Sequence, residues 1–107
     1  MDGVTIDRLS SLLIDTSLPL KLRFRILFTL KSLGKQGQKL ENPEISSRIV
    51  DAISRAFIDS SALLKHECAY CLGQMGDQHA VVKLIDILNN VDEDPMVRHE
   101  AGTILCC

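Results

Sequence analysis

Two dipeptides constrain this chain more than any other feature: His66-Glu67 and His99-Glu100, separated by 33 residues (99 − 66). Their surroundings repeat with them. Laying LLKHECAYCL over MVRHEAGTIL sets Leu64 against Val97, Lys65 against Arg98, Cys68 against Ala101 and Leu72 against Leu105. A period of about 33 residues is the length of one helical hairpin, a unit that cannot bury its apolar face alone and must stack on a neighbour. An earlier copy follows at a shift of 42 residues, with Arg23 on Lys65, Phe28 on Tyr70, Leu30 on Leu72 and Gly34 on Gly76. In that copy Phe24-Arg25 occupies the place of His-Glu, so the scaffold itself does not demand the pair.

The chain then divides into one domain, 1–107, of three units near 1–34, 44–76 and 77–107. Ile6, Leu9, Leu12 and Leu13 fall at helical spacing, as do Leu22, Ile26, Leu30 and Leu33, and Gly34 is expected to close the second helix. Residues 35–43, polar and containing Gly37 and Pro43, are expected to form a loop that accounts for the longer first period. Ser46–Phe57 returns to helix, Ala62–Met75 follows with Ser61 as its cap and Gly76 as its stop, and His79–Leu88 is expected to turn Val82, Ile85 and Leu88 inward. Pro95 opens the last helix, whose equivalents run further than Cys107, so the last unit is expected to be truncated and uncapped. The expected fold is all-α: helical hairpins in a short right-handed α-solenoid, incomplete at its C-terminus.

Composition removes several alternatives. A net charge of −2 without a basic tract gives no electrostatic basis for binding nucleic acid or an anionic membrane. No apolar run is long enough to span a bilayer, and Asp2 and Asp7 are unlike a secretory leader. The four cysteines then read as reduced thiols of a cytoplasmic protein.

A lone His-Glu pair on a helix is ordinarily solvated. Two copies in register on stacked helices, whose axes pack about 8–10 Å apart, can turn their side chains toward a common ion. His66, His99 and a carboxylate from Glu67 or Glu100 would make the two-histidine, one-carboxylate set suited to non-haem iron(II) with open positions for oxygen. A structural zinc would favour more thiolates. The contrasting possibility is a metal-free interaction scaffold that engages a protein partner on its concave face.

The segments LRFRILFTLKSLG, DSSALLKHECAYCLGQMGD and DPMVRHEAGTIL resemble the amino-terminal part of the deoxyhypusine hydroxylases (deoxyhypusine monooxygenases), a HEAT-repeat family, over nearly the whole chain. The resemblance implies an oxidoreductase using dioxygen, with a di-iron centre held by His-Glu motifs. It implies hydroxylation of the deoxyhypusine side chain of eukaryotic translation initiation factor 5A, completing hypusine. Carried over residue by residue, His66-Glu67 and His99-Glu100 are the first two metal-binding motifs, with no catalytic residues beyond these ligands. The family uses four motifs and this sequence holds two, so the chain alone is expected to have little or no activity.

Smaller features have plainer meanings. Cys68 and Cys71 form a Cys-x-x-Cys spacing but align with Ala101 and Ile104, which marks them as core residues. His79 has no following Glu and reads as a surface or capping residue. Tyr70, aligned with Phe28, is expected to place its ring in the core, and Lys65 and Arg98 are expected to be solvated. Gly73, inside a helix, points to a close neighbour.

Overall fold

The computed structural model describes residues 3–106 and contains six α-helices with one 3₁₀ turn. The helices are α1 (Gly3–Leu13), α2 (Leu20–Lys39), α3 (Pro43–Ser54), α4 (Ala62–Met75), α5 (Gln78–Asn89) and α6 (Pro95–Cys106), with the 3₁₀ turn at Arg55–Ile58. Consecutive helices form the hairpins α1/α2, α3/α4 and α5/α6. The second members, α2, α4 and α6, stack in one layer, and α1, α3 and α5 stack in the other. The two layers make a slab of 35 × 33 × 16 Å. This is the expected all-α stack of helical hairpins.

Local chemistry sets most of the boundaries. Asn42 caps α3 by accepting from the Ile45 N–H, with Pro43 in the first turn. Ser61 caps α4 by accepting from the Leu64 N–H, and Gly76 closes it with φ 65°, a conformation that costs glycine little. Asp77 caps α5 through the Ala80 N–H.

The segment expected to be a loop is largely helix: α2 runs through Gly34 and Gly37 to Lys39. Lys35, Gln36, Gln38 and Lys39 are good helix formers. Gly34 stops nothing; its missing Cβ makes room for Met75 and Ile49, which would lie 2.5 and 3.1 Å from such an atom. The extra length of the first unit is therefore extra helix, and the break is confined to Leu40–Asn42.

The core is continuous between the layers. Leu27, Leu30, Ile49, Val50, Ile53, Leu64, Leu72, Leu84 and Val97 are fully or almost fully buried. Burying each such side chain contributes about 1.5–3 kcal/mol. On α5 the inward residues are Ala80, Leu84 and Ile87 with Leu88 partly covered, whereas Val82 and Ile85, expected inside, are exposed. Leu12 and Leu22 also lie outside. Tyr70 and Phe28 do share a position, but it is an exposed one, and the Tyr70 hydroxyl accepts from the Gln74 amide. Cys68 and Cys71 are fully buried core residues as expected, and burial pushes both thiols up, Cys71 to about 12. Cys106 is exposed, and Cys107 lies outside the described residues.

Candidate metal centre

The middle helix α4 is held on both sides, by α2 and by α6, and this positions the two His-Glu motifs. On α4, Leu64, Cys68 and Ala69 are buried around His66 and Glu67, leaving the pair half-covered. On α6, buried Val97 and Ala101 bracket His99 and Glu100 in the same way. Close approach of these helices depends on Gly73, where a Cβ would lie 2.7 Å from Cγ2 of Ile104. This is the near neighbour that a glycine inside α4 implied.

Across that contact, Nε2 of His66 lies 3.1 Å from Oε2 of Glu100. Its other ring nitrogen, Nδ1, lies 3.7 Å from Oε1 of Glu67. Glu100 is the most covered of the three side chains, at 19% exposure against 32% and 31% for His66 and Glu67. One imidazole thus bridges both carboxylates, its own neighbour on α4 and one from the next repeat.

The separation has two chemical uses. It suits a charge-assisted contact between a protonated imidazole and a carboxylate. It is also the edge between adjacent donors in an octahedral shell with bonds of about 2.1 Å, which is about 3 Å. With a cation between Nε2 and Glu100, Glu67 would stand on the opposite side of the ring, where a carboxylate orients a ligating histidine. The donor pair fits a divalent metal, but it is not a complete cage: no group of three or more histidine, cysteine or acidic side chains among the described residues is arranged to hold one.

His99 is placed differently. It is exposed and lines a shallow groove with Leu88, Arg98, Gly102 and Cys106 on the side of α6 away from this pair. Of the four residues expected at the centre, the structure brings Glu67 and Glu100 each against His66, and no ion pair joins His99 to them among the described residues. His79 also stands apart, on the surface of α5, 2.7 Å from Oδ1 of Asp51.

The residues missed by sequence reasoning are the basic ones preceding each motif. Lys65 is not solvated: its Nζ is 2.5 Å from Oε1 of Glu93 in the turn before α6, with side-chain exposures of 13% and 5%. The aligned Arg23 donates from Nε to the Leu13 carbonyl at 2.8 Å and meets Oδ2 of Asp59, in the turn before α4, at 2.5 Å. Arg98 repeats the first contact, from Nε to the Leu88 carbonyl at 3.0 Å. Asp59 and Ser61 in turn start α4, because Oδ1 of Asp59 accepts from the Ser61 N–H. Burial alone would raise the Asp59 pKa, but hydrogen bonds from Arg23 and the Ser61 N–H, with the arginine charge, hold it below the usual carboxylate range. These clamps set where each inner helix begins relative to the one before. The signal was present as a basic column in the aligned repeats, with an acid in each following turn.

No family model matches the chain. Individual proteins do. Deoxyhypusine hydroxylase of Schizosaccharomyces pombe is 51% identical over 102 residues, covering 94% of this chain and 30% of that protein. The Homo sapiens enzyme of the same name is 48% identical over 100 residues, with the same coverage of each. The solved structure of human deoxyhypusine hydroxylase in complex with glycerol superposes with a TM-score of 0.79 over 94% of this chain and 31% of its own. Over the stretch it spans, the chain is similar to the amino-terminal part of the deoxyhypusine hydroxylases. It spans about 30% of the length of the curated relatives it matches. At this identity the stacked hairpins of the human structure and those described above are one fold, and the resemblance carried by the LLKHE and MVRHE segments is borne out.

Proposed function

We propose that this chain contributes the first two His-Glu motifs of an iron-dependent deoxyhypusine monooxygenase acting on eukaryotic translation initiation factor 5A. The observation that carries the reading is the 3.1 Å approach of His66 Nε2 to Glu100 Oε2 across two stacked repeats. His66 and Glu100 are the pair that would hold iron, with Glu67 fixing the imidazole from its Nδ1 side. His99, the other residue of the second motif, would become a further donor only on turning from the groove it lines. Iron, when bound, supplies the activation of dioxygen needed for hydroxylation.

The protein's own contribution is position. Buried neighbours fix the backbone at His66 and Glu100, and the Lys65–Glu93 clamp sets the start of α6, so the two side chains meet without a search for each other. The half-covered site leaves one side open to the long, cationic side chain of a modified lysine, for which Glu67 and Glu100 offer opposite charge. The family resemblance implies four motifs where this sequence has two, so turnover needs donors beyond those described. Buried, reduced Cys68 and Cys71 accord with a cytoplasmic setting.

A metal-free helical scaffold is the second reading, favoured by the lack of a three-donor cluster among the described residues. Iron per mole of chain, reconstituted without oxygen, separates the two for the wild type, His66→Ala and Glu100→Gln. The monooxygenase reading expects iron in the wild type and its loss in both variants; equal, negligible iron in all three supports the scaffold. Turnover by the unsupplemented chain would contradict the need for further motifs.

A further inference from the structure

Six of the chain's twelve lysines and arginines lie in α2, and that helix holds no aspartate or glutamate. Arg23 is buried in its clamp with Asp59. The other five, Lys21, Arg25, Lys31, Lys35 and Lys39, have no ion-pair partner among the described residues. At about 100° per residue they fall within about 120° of arc, opposite the buried Ile26, Leu27, Leu30 and Gly34. Between Lys21 and Lys39, a separation of 18 (39 − 21), the stripe is about 27 Å long. No basic run marks it in the sequence. It forms because α2 continues as helix through Lys35 and Lys39, where a loop was expected. Lys31, Lys35 and Lys39 follow one another at four-residue spacing, so they repel along the helix and the fold gains nothing from them.

The stripe shares a face with the His-Glu site. In the aligned repeats Arg25 takes the place of Glu67 and Phe28 that of Tyr70; α2 packs directly on α4, and both aromatic rings are exposed. Lys31 places its Nζ 5.3 Å from the Phe28 ring centroid, which keeps that cation on the same side. Along the inner layer the charge therefore changes sign, from unpaired cations on α2 to Glu67 and Glu100 around His66.

We propose that the α2 stripe is a docking surface for an acidic patch on a protein partner. This deepens the monooxygenase reading and rests on it for the identity of that partner, the protein substrate whose modified lysine enters at Glu67 and Glu100. Neighbouring helix axes about 8–10 Å apart put both regions beneath one protein-sized partner. A free amine suits the carboxylates but is repelled by α2, and a nucleic acid suits α2 but is repelled by the carboxylates. A folded protein that shows one cationic side chain beside acidic ones satisfies both, so the stripe selects a protein over either competitor.

The test follows association of the full chain with three probes, in low and in high salt: the deoxyhypusine form of eukaryotic translation initiation factor 5A, a decaglutamate peptide and single-stranded oligothymidylate. Two paired variants lower the net charge equally. One is Arg25→Gln with Lys35→Gln on the stripe; the other is Arg8→Gln with Arg48→Gln, exposed on α1 and α3 of the other layer. In low salt the stripe pair should slow association of the factor about tenfold and flatten its salt dependence, and the control pair should change it less than about twofold. Neither pair should lower the thermal midpoint, and Arg25→Lys with Lys35→Arg should keep the wild-type rate. Equal effects of the two pairs, or association indifferent to the stripe, would overturn the proposal. So would oligothymidylate bound more tightly than decaglutamate, since the stripe would then serve nucleic acid. Decaglutamate held through the stripe by a chain that ignores the factor would uphold the acid-binding surface and overturn the monooxygenase reading that names its partner.

Discussion

Replacing Arg23 with methionine tests whether the clamps are structural. The side chain is 4% exposed and ends on a carboxylate whose own side chain is 5% exposed, so the variant strands Asp59 without its cation. It also removes the donor to the Leu13 carbonyl, one of the last-turn acceptors of α1 that no helical N–H reaches. Removing one partner of a buried pair costs about 3–5 kcal/mol. A domain of this size is stable by about 5–15 kcal/mol, so the variant should lose a fifth or more of its stability. At about 4–8 °C per kcal/mol, the thermal midpoint should fall by at least about 12 °C. Urea titration of Arg23→Met, Asp59→Asn and the double variant would measure it. Because the amide oxygen introduced by Asp59→Asn could still accept from the Ser61 N–H while carrying no charge, the double variant should be more stable than Arg23→Met alone. A loss below about 1 kcal/mol, with additive single changes, would mean the pair behaves like an exposed one and would refute the argument.

Further outcomes follow from the same contacts. Gly73→Ala gains about 1 kcal/mol of helix propensity but puts a methyl 2.7 to 3.1 Å from three carbons of Ile104; overpacking of about 1–3 kcal/mol should leave the variant net destabilised, and Ile104→Ala should restore it, as read by urea midpoints. Acid stability should fall below pH 4. The hydrogen bonds around Asp59, from Ser46, Ala80 and Gln38 around Asp77, and from Ser17 around Asp15 hold all three pKa values down, against burial in the first two. With folded values below unfolded ones of about 3.9, the contribution is complete at neutral pH and is lost as pH falls through the folded values. Unfolding free energies at pH 7, 4 and 3 would show it, with a shallower fall in Asp77→Asn.

The repeat was legible because it rests on short-range features: periodic apolar residues, a capping Ser61, a left-handed Gly76 and the His-Glu register. The length of α2 was not. Gly34 resembles a helix stop in one dimension, and only the position of Met75 on the neighbouring helix reveals that the missing Cβ serves packing. The inward face of α5 failed for a related reason. Val82 and Ile85 are more apolar than Ala80, but a helix in the outer layer turns toward its neighbours whichever residues fit the space, and a small one fits there.

The candidate site divides along the same line. That His66 and Glu100 approach each other could be anticipated from stacking, since a helix repeated every 33 residues brings equivalent turns side by side. Which atoms meet could not. A shared pocket for two imidazoles assumes that equivalent residues face each other, whereas stacking translates the unit, so a residue of one repeat faces a different position of the next. His66 meeting Glu100 instead of His99 is that offset made visible. His99 and Arg98 both line the groove with Leu88 and Gly102 instead. A chain with two such motifs contains one interface between them, and at that interface His66 of the first meets Glu100 of the second.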